Sequence, residues 1–367
     1  MEKVKILCVL NALNKCNGIA TYVMNYYKYI DHNKFKMDFL VVSDDICEEY
    51  KSLVDFYSDN IYICSEFSIK NFLKAKKELN IILSNNRYDI VYCHILYTGY
   101  FYFMYAKKFK IEHRILHSHN TPIKNKNIVK EYLYRTMSRM AVKSATDYFA
   151  CSKDAGEYLF KGKEYLVIKN AINLDIYKYN EKKRNQVRKL LNINDEFLIC
   201  QVGRFREQKN HKFSIDLFEK LINANSNCKL FFVGDGPLEN EIKEYVTYKK
   251  LKDKVIFLGV RDDVNDILQA MDVFILPSLF EGLGIVAIEA QASSLPCVVS
   301  DVVPREVQIS NKIEFVSLNN IEEWKNKILK YENNKRNEIV FNNKKIEYEI
   351  NNESKKLEEI LFKIKGE

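Results

Sequence analysis

The chain alternates between short, continuous apolar runs and longer stretches in which apolar residues recur every three or four positions. Runs of the first kind lie at 4–10, 37–42, 61–64, 90–93, 114–117, 148–150 and 167–168. They return at 197–202, 229–234, 255–258, 273–277, 297–299 and 313–316. A strand covered on both faces has no polar side, so these runs predict buried parallel strands. Helical spacing fills the intervals, at 18–29, 69–83, 97–108 and 129–143, then at 182–191, 211–222, 262–271, 285 onward and 321–331. Strands alternating with helices predict an α/β chain built on doubly wound parallel sheets. With 367 residues, two domains are expected, at 1–175 and 192–345. The polar stretch 175–194 reads as the linker between them, and 333–349, rich in Asn, Lys and Glu, as a charged helix.

Residues 273–292, VFILPSLFEGLGIVAIEAQA, hold the strongest chemical signal. A strand turns sharply into a helix through Gly282, Leu283 and Gly284. Glycine lets backbone approach a ligand, and the first turn of a helix offers N–H groups and a positive dipole end to phosphate. Glu281 precedes the turn and Glu289 lies within the helix among Ile285, Val286, Ala287, Ile288 and Ala290. Carboxylates repel phosphate and suit hydroxyls, so the stretch points to a nucleotide sugar. Glu281 also reads simply as a solvated loop residue, whereas a buried Glu289 needs partners.

The second half has further turns of this kind. Gly203-Arg204 and Lys209 flank a turn that opens a helix, where Arg and Lys five apart can grip a diphosphate from two directions. Gly234-Asp235-Gly236-Pro237 is another strand-to-helix turn, and Gly259-Val260-Arg261 follows a strand. In the first half Gly18 stands just before a helix, a second candidate for anion or backbone approach. His94 and His117-Ser118-His119 end neighbouring strands, with His117 and His119 on one side by period-two geometry. They read as polar strand ends, as a weak zinc set without a fourth ligand, or as the lining of the crevice at a sheet's carboxyl edge.

Phe280-Glu281-Gly282-Leu283-Gly284, with Glu289 eight residues after Glu281, resembles the glutamate-x7-glutamate signature of the family 4 retaining glycosyltransferases. The resemblance implies a GT-B fold, with two Rossmann-like domains on a central cleft and a last helix (350–367) returning to the first domain. It implies that Arg204 and Lys209 clamp the donor diphosphate, with Gly203, Gly234 and Gly236 in the turns around it. Val260 and Arg261 would hold the base through backbone groups, Glu289 the ribose, and Glu281 the sugar. Gly18 would face the cleft, and His119 the transferred sugar. Retention of anomeric configuration, a nucleoside diphosphate sugar donor (UDP-linked by preference), a lipid-linked or glycan acceptor and surface polysaccharide assembly are implied likewise. No cofactor or divalent metal is expected. Asn170-Ala171-Ile172-Asn173 resembles the family's PNGID-type segment, with Lys169 in place of proline and Ala171 in place of glycine. Asp301-Val302-Val303-Pro304 stands where many relatives have Gly-Gly.

Bulk properties narrow the setting. The nine cysteines are scattered without a C-x-x-C pair, as expected of reduced core residues in a cytoplasmic protein. Met1 to Ile6 enters a strand directly, so no signal peptide is expected, and the apolar run 95–106 is too short to span a bilayer. The net charge of +8 suits anionic ligands, an anionic membrane surface or plain solubility. Residues 101–145 carry ten Lys or Arg against two Glu, with Arg135, Arg139 and Lys143 along one helix face. That face is either a solvated basic surface or a contact for anionic lipid at the inner face of the membrane. Three other readings compete: a glycoside hydrolase using Glu281 and Glu289, a sugar-nucleotide epimerase, and a non-enzymatic binder of anionic membrane or nucleic acid. The binder leaves the glutamates and glycine turns unexplained, and no nucleic-acid partner is expected.

Overall fold

The computed structural model describes residues 2–15, 17–119, 128–224, 227–332, 336 and 340–366. Residues 120–127 of the basic 101–145 stretch and most of 333–339 lie outside the described residues. The chain divides into two units, Met1–Ala171 with Ile350–Glu367, and Ile172–Glu349.

The first unit is built on β1 (Val4–Leu10), β2 (Phe35–Val41), β3 (Ile61–Ile63), β4 (Ile90–Cys93), β5 (His113–Ser118), β6 (Asp147–Ala150) and β7 (Leu166–Val167). All pairings are parallel, in the order β3-β2-β1-β4-β5-β6-β7. The continuous apolar runs follow from burial on both faces. Along β1, Val4, Ile6, Cys8 and Leu10 join one core, which includes residues of α1 (Gly18–Tyr29) and α2 (Glu48–Phe56). Leu7 and Val9 join the other, with residues of α3 (Phe72–Asn85), α4 (Gly99–Lys108), α5 (Ile128–Ser144) and α6 (Lys153–Phe160). The helix Ile350–Lys365 completes the first core with buried Ile350, Leu357 and Leu361. The Phe362 ring meets Phe35 at 4.8 Å, and Glu358 accepts from the Asp31 amide at 2.8 Å. The expected return of the last helix is therefore present.

The second unit repeats the plan with β8 (Phe197–Val202), β9 (Cys228–Val233), β10 (Val255–Phe257), β11 (Val273–Leu276), β12 (Cys297–Ser300) and β13 (Ile313–Val316), ordered β10-β9-β8-β11-β12-β13. Its helices are α7 (Leu174–Tyr177), α8 (Glu181–Leu190), α9 (His211–Ala224), α10 (Glu239–Tyr248), α11 (Val264–Ala270), α12 (Ile285–Ala292) and α13 (Ile321–Leu329). In each sheet the strand order reverses beside the first strand, between β1 and β4 and between β8 and β11, where open sheets of this kind bind ligands at their carboxyl ends.

Two expectations need correction. The stretch 175–194 is not a linker, because the boundary falls between Ala171 and Ile172. Arg184 donates to the carbonyls of Gln269, Ala270 and Met271 and to Asp272, and Arg188 also reaches Asp272, so α8 caps the C-terminal end of α11. The charged helix expected over 333–349 is also absent from its described part. Phe341 forms a bridge with Ser310, and residues 343–348 form a 3-10 turn that buries Tyr348. Arg336 is buried too, its guanidinium on the carbonyls of Gln269, Met271 and Ser293.

Candidate functional site

In the second unit the loops that follow β8 and β9 lie directly on each other. The Phe205 amide donates to the Asp235 carbonyl at 2.6 Å, and the Leu238 amide to the Phe205 carbonyl at 3.1 Å. A Cβ on Gly234 would stand 2.5 Å from the Gly203 oxygen, and one on Gly236 would stand 2.6 Å from the nitrogen and oxygen of Phe205. Both glycines also have positive φ, +132° and +152°. Their first duty is thus to let backbone meet backbone. Gly203 leaves room for the stem of Lys209, whose Cε would be 3.0 Å from an added Cβ.

That stem carries Lys209 Nζ to Glu281 Oε1, 2.6 Å away. The Ser278 hydroxyl donates to the same oxygen at 2.6 Å, while the Gln208 amide donates to the Phe280 carbonyl at 3.0 Å and to Glu281 Oε2 at 3.4 Å. Glu281 is 6% exposed, so the reading of it as a solvated loop residue fails. The chain then passes Gly282 and buried Leu283 to Gly284, whose φ of +89° places it in the left-handed region at the start of α12. No side chain caps that helix N-terminus.

Glu289, one turn into α12, is buried, and desolvation pushes its carboxyl up to about 7 against the opposing Tyr177 hydroxyl bond and Lys209 charge. Arg204 presents a buried Nε without a hydrogen-bond partner, and Asp235 a buried Oδ1 in the same state. Burial, and then repulsion from Arg204, hold the Arg206 guanidinium below its ordinary range. Lys209, Glu281 and Glu289 therefore belong to one neighbourhood at the carboxyl edge of the second sheet, and Arg204 leaves the chain next to Gly203, against which the Lys209 stem lies. Val260 is half exposed, while Arg261 is held at the surface by Asp263 through bonds of 2.8 and 2.7 Å.

Sequence reasoning overlooked Gln208, Ser278, Arg206 and Tyr177. Arg206 carried a legible signal, a second arginine in a turn already read as an anion clamp. Tyr177 was hidden by the mistaken linker.

In the first unit, Gly18 opens α1 with nothing within 4 Å of an added Cβ. The Asn17 side chain accepts from the amides of Ile19 and Ala20 at 3.0 and 3.3 Å, so this helix start already has a cap. His94, His117 and His119 form one buried cluster. His94 Nδ1 lies 2.8 Å from His119 Nε2, and His117 Nδ1 lies 2.7 Å from the Tyr92 hydroxyl. The rings of His117 and His119 stack at 4.0 Å with planes 20° apart. Burial depresses all three, His119 to about 3, so each is neutral near pH 7. One nitrogen from each lies within 4.8 Å of the others, which is metal-ligand spacing. Stacked rings, however, direct their in-plane lone pairs alongside one another, whereas ligands of one ion converge on it.

Residues 182–347 match the model of the family described as Glycosyl transferases group 1. A Bacillus subtilis relative, EpsF, is 31% identical over 310 residues, covering 83% of this chain and 80% of the relative. The chain belongs to the group 1 glycosyltransferases. An Escherichia coli enzyme named UDP-Gal:alpha-D-GlcNAc-diphosphoundecaprenol alpha-1,3-galactosyltransferase is 26% identical over 352 residues, covering 91% of this chain and 89% of that one. Among solved structures, Anabaena Alr3699/HepE in complex with UDP and glucose superposes with a TM-score of 0.75 at 17% identity, over 98% and 99% of the two chains. That likeness establishes the GT-B fold of this glycosyltransferase.

The crossing of the two loops makes a direct prediction. Gly236→Ala should destabilise the second unit by about 3 kcal/mol, since backbone must move and φ is unfavourable for alanine. Urea unfolding of the variant beside wild type checks it; an unchanged midpoint would remove the packing role given to Gly236.

Proposed function

We propose that this glycosyltransferase moves a sugar from a UDP-linked donor to a lipid-linked or glycan acceptor in surface polysaccharide assembly, with retention of configuration and without a divalent metal. The observation that carries the reading is the grouping of two cations and two carboxylates at the second sheet. Arg204, with a buried unpartnered Nε, and Lys209, held by Glu281, stand beside glycine turns, and Glu281 and Glu289 supply acceptors that suit hydroxyls. On this reading Arg204 and Lys209 take the diphosphate, helped by the amides around Leu283 and Gly284. Charge growing on the leaving group is met by fixed donors, which is electrostatic stabilisation of the transition state. Lys209 exchanges Glu281 for phosphate when the donor arrives, freeing that carboxylate for sugar hydroxyls. Glu289 takes the ribose, backbone at Val260 and Arg261 takes the base, and Gly203, Gly234 and Gly236 keep the turns close to the diphosphate. Gly18 and His119 of the first unit are assigned to the donor, His119 to its sugar. The names of the Escherichia coli enzyme and of the HepE complexes support a UDP-linked donor, and the former supports a lipid-linked acceptor.

No helix among the described residues is long and apolar enough to cross a membrane. On α5, Arg135, Arg139 and Lys143 are exposed, as are Leu133 at 52% and Met140 at 38%. Basic and apolar groups exposed together on one helix suit anionic headgroups. We therefore place the enzyme in the cytoplasm, peripheral at the membrane's inner face.

Three measurements test this reading. Arg204→Ala should weaken UDP-glucose binding at least about tenfold, and so should Lys209→Ala, by calorimetry. Two folded variants that bind like wild type would sink the clamp. Glu289 titrates near 7, raised from its ordinary value, so its burial favours the neutral form. Its contribution to stability is present in acid and lost as pH rises through about 7, whereas ribose binding needs the ionised form. Affinity for UDP-glucose should accordingly rise from pH 6 to pH 8, and Glu289→Gln should flatten that rise. Sedimentation with phosphatidylglycerol vesicles, but not phosphatidylcholine vesicles, is expected at low salt, and Arg135→Glu with Arg139→Glu should abolish it. Equal binding to both lipids would contradict the electrostatic surface.

A further inference from the structure

Strand ends bring His94 and His119 together: His94 follows β4, and His119 follows the adjacent β5. Their contact, His94 Nδ1 to His119 Nε2 at 2.8 Å, requires one nitrogen to donate and the other to accept. The remaining nitrogen of His94, Nε2, is buried and has no hydrogen-bond partner. Were His119 the donor, the proton of a neutral His94 would sit on that Nε2, a stranded N–H among buried rings. Orphaned buried N–H groups are rarer in folded proteins than orphaned acceptors, so the proton belongs on Nδ1 of His94. His119 then accepts at Nε2 and carries its own proton on Nδ1.

We infer that His94 is a positioning residue that donates from Nδ1 to His119 Nε2, fixing His119 as the Nδ1–H tautomer that offers a ligand oxygen a hydrogen-bond donor rather than a proton-accepting nitrogen. The ring is held for this task. His117 stacks on His119 at 4.0 Å, and Tyr22 meets it edge-on at 5.0 Å. The Tyr22 hydroxyl bonds the Tyr92 hydroxyl at 3.2 Å, and that hydroxyl bonds His117 Nδ1 at 2.7 Å, so the stacking partner is itself anchored. His119 retains 8% exposure, and its Nδ1 is not among the buried unpartnered atoms. The ligand group it suits is an oxygen with a free lone pair, such as a sugar hydroxyl. A donor locked in this way does not deprotonate an acceptor hydroxyl, so that proton must go to another group. The inference rests on the function proposed above for what His119 faces, but the tautomer is a property of the chain without ligand.

The experiment is long-range proton–nitrogen correlation spectroscopy on the full chain labelled with 15N-histidine, with His119 assigned through His119→Gln. Wild type should show His119 protonated at Nδ1 and bare at Nε2. His94→Asn puts an amide donor where Nδ1 stood and should preserve that pattern, whereas His94→Asp puts an acceptor there and should move the proton to Nε2. Turnover of UDP-glucose should follow: His94→Asn within about threefold of wild type, and His94→Asp at least about tenfold lower in kcat with less change in KM. A wild-type His119 protonated at Nε2, or a tautomer unmoved in folded His94→Asp, overturns the inference whatever the donor is. If His94→Asp does not fold, the wild-type spectrum and His94→Asn decide. If the tautomer is as assigned and His119→Gln still transfers sugar normally, the tautomer stands and the sugar-facing role proposed for His119 falls.

Discussion

Backbone resting on backbone, where the loop 203–205 crosses the loop 234–238, is the constraint on which the second unit's candidate site depends. With no side chain between them, the loops fix where Arg204 leaves the chain and how far Lys209 must reach. In these same loops an arginine Nε and an aspartate oxygen are buried without partners. Unpartnered polar atoms are costly, and a fold that keeps them keeps them for a ligand more readily than for stability. The Lys209–Glu281 pair has the opposite character. Each charge is satisfied by the other until something more strongly charged displaces it.

Much of this was legible along the chain. Strands buried on both faces leave continuous apolar runs, so β1, β4, β8 and β13 appear with the ends read for them. The positions of Arg204, Lys209, Glu281 and Glu289 could be read because each stands in or just after a strand-to-helix turn. What could not be read depends on contacts between distant segments. Gln208 and Ser278 matter only because the turn before α9 lies against the turn before α12. The run 181–190 looked like solvated linker because three of its ten residues are Lys, two are Arg, and Glu, Asn and Gln supply three more. Its two arginines are instead consumed by carbonyls at the end of α11 and by Asp272. Helix α2 was missed for a related reason, since Glu48–Phe56 buries only Tyr50 and Val54 and shows too little apolar repetition. Helix α6 did carry a signal, the Ser152 cap that accepts from the Ala155 amide at 3.2 Å.

Ionisable groups are divided between the units in a consistent way. Around the first sheet's switch point burial keeps three imidazoles neutral, and their hydrogen bonds run to one another and to tyrosines. Around the second, burial raises a carboxyl but leaves it beside a cation. A neutral cluster recognises by hydrogen-bond direction and a charged one by Coulomb attraction.

The placement of residues 350–367 has a consequence for biosynthesis. The core formed on one face of β1 lacks Ile350, Leu357 and Leu361 until the whole of the intervening unit has been synthesised. During translation the amino-terminal sheet must wait with that groove uncovered, while the intervening unit has every residue it needs to fold. A nascent chain stalled after 349 therefore leaves uncovered the apolar surface that Ile350, Leu357 and Leu361 bury, open to chaperones or to aggregation.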